Sequence, residues 1–172
     1  MATRQDPIRV VGYDRSWPMS FEHQRIRVER ALHPWLAVPV EHIGSTAVPG
    51  LPAKPIVDML ALVPDQDAAS GVIAALSAIG WQHAPEPSDS ERRRRSFCYP
   101  SVAWRTHHLH VWETGSGWRP LLAFRDHLRT HPADAARYAA LKSALAAAHP
   151  DDRPAYRTGK TALIEEILRG AG

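Results

Sequence analysis

The sequence predicts an α+β domain, in which a mixed β-sheet is flanked by helices and followed by a helical C-terminal lobe. Apolar, β-branched runs of strand length fall in the first two thirds of the chain, and helix-type patterns fill the last third. Pro132 and Pro150 divide this last third, because proline suits the first turn of a helix and cannot continue one. Strands early and helices late are typical of an α+β domain.

The first half of the chain contains three predicted strands and two predicted helices. The strands are residues 8–13, at an edge, residues 38–43 and residues 56–63. The helices are residues 19–36 and residues 65–79, the second of which ends at Gly80 as helices commonly do.

The second half contains a predicted hairpin and three predicted helices. A polar segment, residues 83–95, is expected to be a loop before the two strands of the hairpin, residues 95–99 and 105–113. The helices are residues 118–130, 133–148 and 153–168.

Length and composition predict one domain over residues 1–172. Hydrophobic residues make up 44% of the chain and charged residues 23%, as in ordinary soluble domains. No apolar run approaches membrane-spanning length, and residues 1–10 lack the apolar segment of a secretory signal, so a cytoplasmic location without membrane contact is expected. Cys98 is the one cysteine, which excludes an intramolecular disulfide and predicts a packed thiol.

The charge balance is mildly basic, with a net charge of +3 and a pI near 9.3. Much of the excess positive charge lies in residues 92–95 and in Arg105. These residues either attract an anionic ligand or form a solvated basic loop. Nucleic acid is not the expected partner, because no extended basic and aromatic surface pattern is present.

The strongest functional signal is a Gly-Ser-Thr turn followed by a strand that carries one acid. Asp58 lies in the otherwise apolar residues 56–63, where a carboxylate costs free energy unless a cation pairs with it. Gly44 permits close approach of a ligand, and Ser45 and Thr46 supply hydroxyl groups and N–H groups for phosphate oxygens. The alternative is structural, with Asp58 as an internal acid that pins a simple tight turn.

Two alternating histidines indicate a possible metal site. His108 and His110 project from one face of a strand, and Asp58 completes a site if the two strands are neighbours. Imidazole favours zinc, manganese, iron or nickel over magnesium. The alternatives are that the histidines bind a phosphate or a sugar, or only fill a polar cleft. His107 and Glu113 are expected on the opposite face.

Four segments carry a resemblance to a known family. They are HIGSTAVPGLPAKPIVD (residues 42–58), THHLHV (106–111), FRDHLR (124–129) and AYRTGK (155–160). Together they resemble the GrpB-like family of the nucleotidyltransferase superfamily, which has the polymerase-beta-like fold. The resemblance implies a nucleotidyltransferase-like mixed sheet, a nucleotide as substrate, and a contact between Ser45 and the nucleotide phosphate that carries the metal.

Two positions depart from the pattern that this resemblance implies. Typical nucleotidyltransferases carry a second carboxylate two residues after the first, where this chain has Leu60. Relatives also carry an Arg-x-Phe-x-Lys-like strand, of which only Arg95-Ser96-Phe97 is kept, so a ligand role for Arg95 is not carried over.

The leading hypothesis is metal-assisted nucleotidyl or phosphoryl transfer on a nucleotide or another phosphorylated small molecule. Asp58 holds a divalent ion (magnesium, manganese or zinc) with His108 or His110, and Asp58 and Ser45 are the catalytic candidates. The substrate-binding candidates are Gly44, Thr46, Lys54, Arg105, Tyr156 and Lys160. The alternatives are a non-catalytic module that binds a nucleotide or phosphate ligand, and a biosynthetic enzyme that uses the cleft for acyl or amide transfer. Arg125 and Asp126 are expected to form an internal ion pair or a helix-surface feature rather than a catalytic pair.

Overall fold

The computed structural model describes residues 7–170, in which a five-stranded mixed sheet is combined with six helices. The strands are β1 (Glu41–Ile43), β2 (Val57–Val63), β3 (Gln82–His83), β4 (Arg94–Pro100) and β5 (Arg105–Glu113). The helices are α1 (Trp17–Leu32), α2 (Val72–Ala78), α3 (Arg119–Thr130), α4 (Pro132–Ala148), α5 (Arg153–Thr158) and α6 (Thr161–Gly170). The predicted fold class is therefore confirmed. None of the described helices is long and apolar enough to cross a membrane.

Parallel pairing of β2 with β5 decides which residues meet in the centre of the sheet. The strand order is β1-β2-β5-β4-β3, and every neighbouring pair except β2 and β5 is antiparallel. In the parallel pair, Asp58 lies opposite His108 and Leu60 lies opposite His110. The predicted hairpin is confirmed as β4 and β5.

The two faces of the sheet are covered by different helices. Val57, Met59, Ala61 and Val63 alternate along β2 and pack in the main core with buried residues of α1 and α2. Residues 60 and 62 point the other way, where they join Ile43, Trp112, Leu121 and Leu122 beneath α3.

The proline-rich turn after β1 links the sheet to the helical lobe. Val48 and Leu51 of this turn are buried against Leu128, Tyr138 and Ile167 of the C-terminal helices. This apolar contact holds the Gly-Ser-Thr turn and the lobe together.

Several predicted elements are shorter in the structure than the sequence pattern suggests. Residues 8–13 form only one isolated bridge, between Val11 and Ala53, so the predicted edge strand is wrong. The first helix ends at Leu32, two residues before Pro34, which has no backbone N–H to continue the helical hydrogen bonds. Residues 65–71 form turns, in which the Asp65 carboxylate accepts from the backbone of Asp67 and Ala68, so α2 begins only at residue 72.

Three further boundaries differ from the prediction. Strand β1 covers only the second half of the predicted strand 38–43. The predicted loop 83–95 includes His83, the last residue of the short strand β3, and the first two residues of β4. The predicted helix 153–168 is divided into α5 and α6 at Gly159. The single domain over residues 1–172 stays a prediction, and residues 1–6 and 171–172 lie outside the described part of the chain.

Candidate functional site

A pocket of about 430 Å³ lies between the sheet and the C-terminal helices. Its floor comes from β2, β4 and β5, one wall from the turn after β1, and the opposite wall from α3, α4, α5 and α6. Residues from all eight of these elements therefore converge on it. Of the predicted site residues, it is lined by Gly44, Ser45, Thr46, Lys54, Asp58, His108, His110, Tyr156 and Lys160.

Gly44 brings the backbone of the turn into contact with the Asp58 carboxylate. It adopts φ 72° and ψ −170°, a conformation that is essentially restricted to glycine. A Cβ atom at residue 44 would lie 2.8 Å from Oδ2 of Asp58. The glycine is therefore required both by the backbone conformation and by the acid packed against it.

His42 and Thr46 hold the turn from its other side. The Nε2 atom of His42 forms a hydrogen bond of 2.9 Å with Oγ1 of Thr46, and both residues are buried. Burial lowers the pKa of His42 to about 4, so the imidazole is neutral at pH 7. The Thr46 hydroxyl thus stabilises the turn, although Thr46 also lines the pocket.

Asp58 is held ionised by its neighbours. Oδ1 of Asp58 lies 3.1 Å from Nδ1 of His108, its partner in the parallel register. Burial raises the pKa of Asp58, but the hydrogen bond from His108 and the electrostatic attraction of neighbouring groups, Lys54 among them, outweigh it and bring the pKa to about 2. The carboxylate is consequently available as a charged ligand at neutral pH.

Asp58, His108 and His110 form a group that is able to hold a metal ion. One ligand atom from each of the three lies within 4.8 Å of the others. Burial lowers the pKa of His110, and Nε2 of His108 is buried without a hydrogen-bond partner among the described residues. A buried imidazole nitrogen without a hydrogen-bond partner is suited to bind a metal ion, so these residues fit an ion of the kind that imidazole binds.

The same pocket does not supply the several carboxylates of a two-magnesium centre. Leu60, at the position of the expected second acid, is 1% exposed and packs in the apolar cluster beneath α3. Glu86 is the other described carboxylate of the lining, and it is engaged by Arg94 at 2.9 Å and Arg157 at 3.6 Å. The donor set therefore consists of one carboxylate and two imidazoles.

Every lysine of the chain lines this pocket. The three lysines, Lys54, Lys142 and Lys160, come from the turn before β2, from α4 and from the junction of α5 and α6. Positive charge is thus gathered in the pocket that also contains the Asp58 carboxylate. Such a concentration of ammonium groups is suited to an anion with several oxygen atoms.

Lys142 is the site residue that sequence reasoning missed. It is 2% exposed, and its Nζ donates to Oγ of Ser45 at 2.9 Å and to the carbonyl oxygen of Pro52. Burial lowers its pKa to about 7, with the charges of Lys160 and Lys54 adding to the effect. The available signal was the i,i+4 spacing of Tyr138 and Lys142 in an alanine-rich helix, which places both on one face.

Tyr156 separates two of the ammonium groups. Nζ of Lys160 lies 4.6 Å from the centre of its ring, and Nζ of Lys54 lies 5.4 Å from it. Burial raises the pKa of Tyr156 to about 12, whereas burial lowers the pKa of Lys160. Tyr156 therefore acts in the pocket as a neutral aromatic surface that positions the lysines.

The structure separates the predicted arginines from the pocket. Arg105 is not among the lining residues, because it lies at the start of β5, where its Nε donates to the carbonyl oxygen of Val102 at 3.1 Å. Arg95 donates to the carbonyl oxygens of Ala69 and Gln66, which agrees with its exclusion as a ligand. Its neighbour Arg94 points to the other face of β4 and lines the pocket instead.

Three other expectations are confirmed by the contacts. His107 faces away from the pocket and forms a hydrogen bond of 3.1 Å with Ser20 of α1. Arg125 forms the predicted ion pair with Asp126 at 2.7 Å. Cys98 is buried in β4.

The fold and the site define a class of protein with a nucleotidyltransferase-like architecture. The structure of the Cid1 poly(U) polymerase is similar with a TM-score of 0.50 and 12% identity, over 80% of this chain and 42% of that one. At this identity the likeness concerns the fold alone.

The chain belongs to the GrpB family, whose model, described as GrpB protein, matches residues 7–170. The crystal structure of the conserved protein GrpB from Enterococcus faecalis is 34% identical with a TM-score of 0.83, over 95% of this chain and 96% of that one. A UPF0157 protein of Pseudomonas aeruginosa is 43% identical over 166 residues, which are 95% of this chain and 67% of that protein. The chain spans a smaller share, 47%, of the UPF0157 protein YqkA of Bacillus subtilis, to which it is 36% identical.

Proposed function

We propose that this protein is an enzyme that transfers a nucleotidyl or phosphoryl group with the help of a divalent metal ion. The substrate is a nucleotide or another phosphorylated small molecule. The observation that carries the proposal is the convergence of all three lysines, the Gly-Ser-Thr turn and the group Asp58, His108 and His110 on one pocket.

Lys142 supports an anionic substrate most directly. Among the described residues no carboxylate forms a salt bridge with it, and its two hydrogen-bond acceptors are the neutral oxygens of Ser45 and Pro52. A buried ammonium group without a counter-ion costs free energy. A phosphate group bound beside Lys142, Lys160 and Ser45 would supply the missing negative charge, and this compensation favours a ligand that carries one.

The same pocket supplies the candidate metal ligands. Asp58, His108 and His110 would hold the ion, which when bound would act as a Lewis acid toward a phosphate oxygen. Lys54 and Lys160 are placed to neutralise negative charge that develops on the transferred group. Ser45 would donate its hydroxyl to the phosphate, and Asp58 would contact the phosphate only through the ion.

A non-catalytic binding module is the second candidate, and Leu60 favours it. Because this side chain is buried in an apolar cluster, no acid takes the place of the second metal-binding carboxylate of typical nucleotidyltransferases. Under this alternative the lysines and the turn bind a phosphate ligand, but the ligand does not react.

A ligand screen by thermal shift separates the two candidates. Nucleoside triphosphates, coenzyme A precursors and sugar phosphates are tested with and without magnesium, manganese and zinc. Stabilising combinations are then followed by ³¹P NMR for cleavage of a phosphate bond. The variants are Asp58→Asn, the pair His108→Ala and His110→Ala, and Lys142→Met, with Asp67→Asn as the matched control because its side chain is 84% exposed.

The transfer proposal predicts a stabilisation that needs both a metal and a phosphorylated ligand, together with turnover. Both are lost in the Asp58 and histidine variants, weakened in Lys142→Met, and unchanged in Asp67→Asn. Metal-independent stabilisation that survives Asp58→Asn, without turnover, would overturn it in favour of the binding module. The absence of any shift with every ligand would overturn both.

A further inference from the structure

A buried polar chain connects the candidate metal site to a second acid that does not line the pocket. Ser96 of β4 lies opposite His110 of β5 in the antiparallel register, and its Oγ is 3.3 Å from Nδ1 of His110. The same Oγ is 3.0 Å from Oδ1 of Asp89. Ser96 is 3% exposed and Asp89 is 7% exposed, so water does not compete freely for these hydrogen bonds.

The position of each hydrogen atom in this series of hydrogen bonds follows from which groups are able to donate. The Asp89 carboxylate accepts from Nε of Arg94 at 2.6 Å and from the backbone N–H groups of Ser96 and Glu86. It therefore also accepts the one hydroxyl proton of Ser96. The Ser96 oxygen is left as an acceptor toward His110, so Nδ1 of His110 carries the hydrogen and Nε2 keeps its lone pair.

His108 is held in the same tautomer by a different acid. Its Nδ1 donates to Oδ1 of Asp58, so in the neutral imidazole Nε2 also keeps a lone pair, and this atom is buried with no partner among the described residues. The two rings lie 6.2 Å apart, centre to centre, on one face of β5. Both rings line the pocket, and in the neutral form each keeps its lone pair on Nε2.

We propose that Ser96 and Asp89 are positioning residues of the metal site, and that the site selects a borderline transition-metal ion over magnesium. The inference rests on the proposed function for the site itself, but it concerns which ion binds and what orients its ligands. Ser96 and Asp89 orient His110, and Asp58 orients His108. Two neutral imidazole nitrogens and one carboxylate oxygen suit zinc or cobalt(II), whereas magnesium requires a nearly complete set of oxygen ligands.

Asp89 connects this orientation to the anion side of the pocket. Its carboxylate holds Arg94 as well as Ser96, and Arg94 in turn contacts Glu86 at 2.9 Å. One buried acid therefore fixes both a metal ligand and a pocket arginine. Such outer hydrogen bonds orient ligating histidines in known metal sites, where their loss weakens metal affinity by roughly 10–100-fold.

The first test determines which ring nitrogen of His108 and of His110 carries the hydrogen in the metal-free protein. Long-range ¹H–¹⁵N correlation spectra of the full chain at pH 8 are expected to show the Nδ1–H form for His108 and His110. Ser96→Ala is expected to remove the fixed tautomer of His110 and to leave that of His108. The Nε2–H form of His110 in the wild-type protein would overturn the positioning role.

The second test measures cobalt(II) and zinc affinity, with the cobalt(II) absorption spectrum as a readout of coordination. Ser96→Ala and Asp89→Asn are expected to weaken binding by roughly 10–100-fold and to change the spectrum, whereas Ser96→Thr keeps the hydroxyl and the affinity. Ser20→Ala is the matched control, because it removes a serine–histidine hydrogen bond on the opposite face of the same strand.

The outcomes separate this inference from the proposed function. Tight cobalt(II) binding that depends on Ser96, without turnover of any phosphorylated ligand, would support the inference and count against the transfer reaction. Unchanged cobalt(II) affinity in Ser96→Ala, or a site that binds magnesium more tightly than zinc, would overturn the inference and leave the transfer reaction open.

Discussion

Gly44 and Lys142 show how single residues set the chemistry of this pocket. Gly44 lets the Asp58 carboxylate lie against the backbone of the turn, and Lys142 brings an ammonium group to the Ser45 hydroxyl. Each is unfavourable by itself: Gly44 has a rarely populated backbone conformation, and Lys142 has a buried charge. Such residues are concentrated at functional sites, where a ligand compensates for them.

Gly44→Ala is expected to lower the free energy of unfolding by about 2–4 kcal/mol, because the conformation excludes a side chain and the new Cβ would overlap Asp58. Urea denaturation measures this change. Gly50→Ala is the control, since Gly50 also has a positive φ of 79° but has no atom within 4 Å of the new Cβ. It should cost only about 1 kcal/mol. Equal losses in the two variants would show that contact with Asp58 is unimportant.

Lys142→Met is expected to change how stability depends on pH. The pKa of Lys142 is about 7 in the folded chain, against an ordinary value of 10.5. Between these two pH values the side chain is protonated in the unfolded chain and deprotonated in the folded chain. The free energy of unfolding contributed by Lys142 therefore rises with pH above 7, by about 1.4 kcal/mol per pH unit, and is constant below 7. Urea denaturation of the wild type and the variant from pH 6 to 9.5 gives this difference directly.

The three lysines also allow the titration to be observed at the residue itself. Protein labelled with ¹³C-lysine has three lysine Cε signals, and the signal that is absent from Lys142→Met should titrate near pH 7. A midpoint near 10.5 would contradict the burial of a cation beside two others.

At the scale of elements, the parallel pairing of β2 with β5 brings the candidate metal ligands together. It places Asp58 opposite His108, and the alternation of each strand brings His110 to the same face. The same alternation directs Leu60 toward α3, where it packs with Ile43 and Trp112. The sheet thus assigns residue 58 to the pocket and residue 60 to an apolar layer, although the two lie on one face.

Leu60→Asp is expected to destabilise the protein rather than restore a two-carboxylate site. The substitution removes a buried leucine, which costs about 2–5 kcal/mol, and adds a carboxylate to an apolar cluster, which costs more. Urea denaturation should therefore give a lower free energy of unfolding than for Leu60→Ala, which creates only the cavity. If Leu60→Asp equals Leu60→Ala in stability and binds magnesium, the pocket extends to residue 60.

At the scale of the whole molecule, the pocket joins the sheet to the helical lobe. The metal ligands belong to β2 and β5, whereas Lys142 and Lys160 belong to the C-terminal helices. Apart from the pocket, the contact between these parts near the turn depends on a small cluster that includes Val48, Leu51 and Leu128. A ligand that bridges the pocket should therefore stabilise both parts at once.

Hydrogen exchange measured by mass spectrometry tests this expectation. A nucleoside triphosphate with zinc or manganese should slow amide exchange in β2 and in α4 to α6 together, because it contacts both sides of the pocket. In Lys142→Met the protection should weaken in both parts. Protection confined to the sheet would show that the helical lobe does not take part in binding.

The sequence by itself determined the fold class, the hairpin, the Gly-Ser-Thr turn and the acid–histidine group. These features depend on local patterns: the alternation of side chains along residues 56–63 and 105–113, and one acid in an apolar run. The tertiary structure alone decided that Lys142 joins the pocket, that Arg105 lies outside it, and that Ser96 and Asp89 lie behind His110. Lys142 and Ser45 lie 97 positions apart, and no local pattern encodes a contact over such a distance.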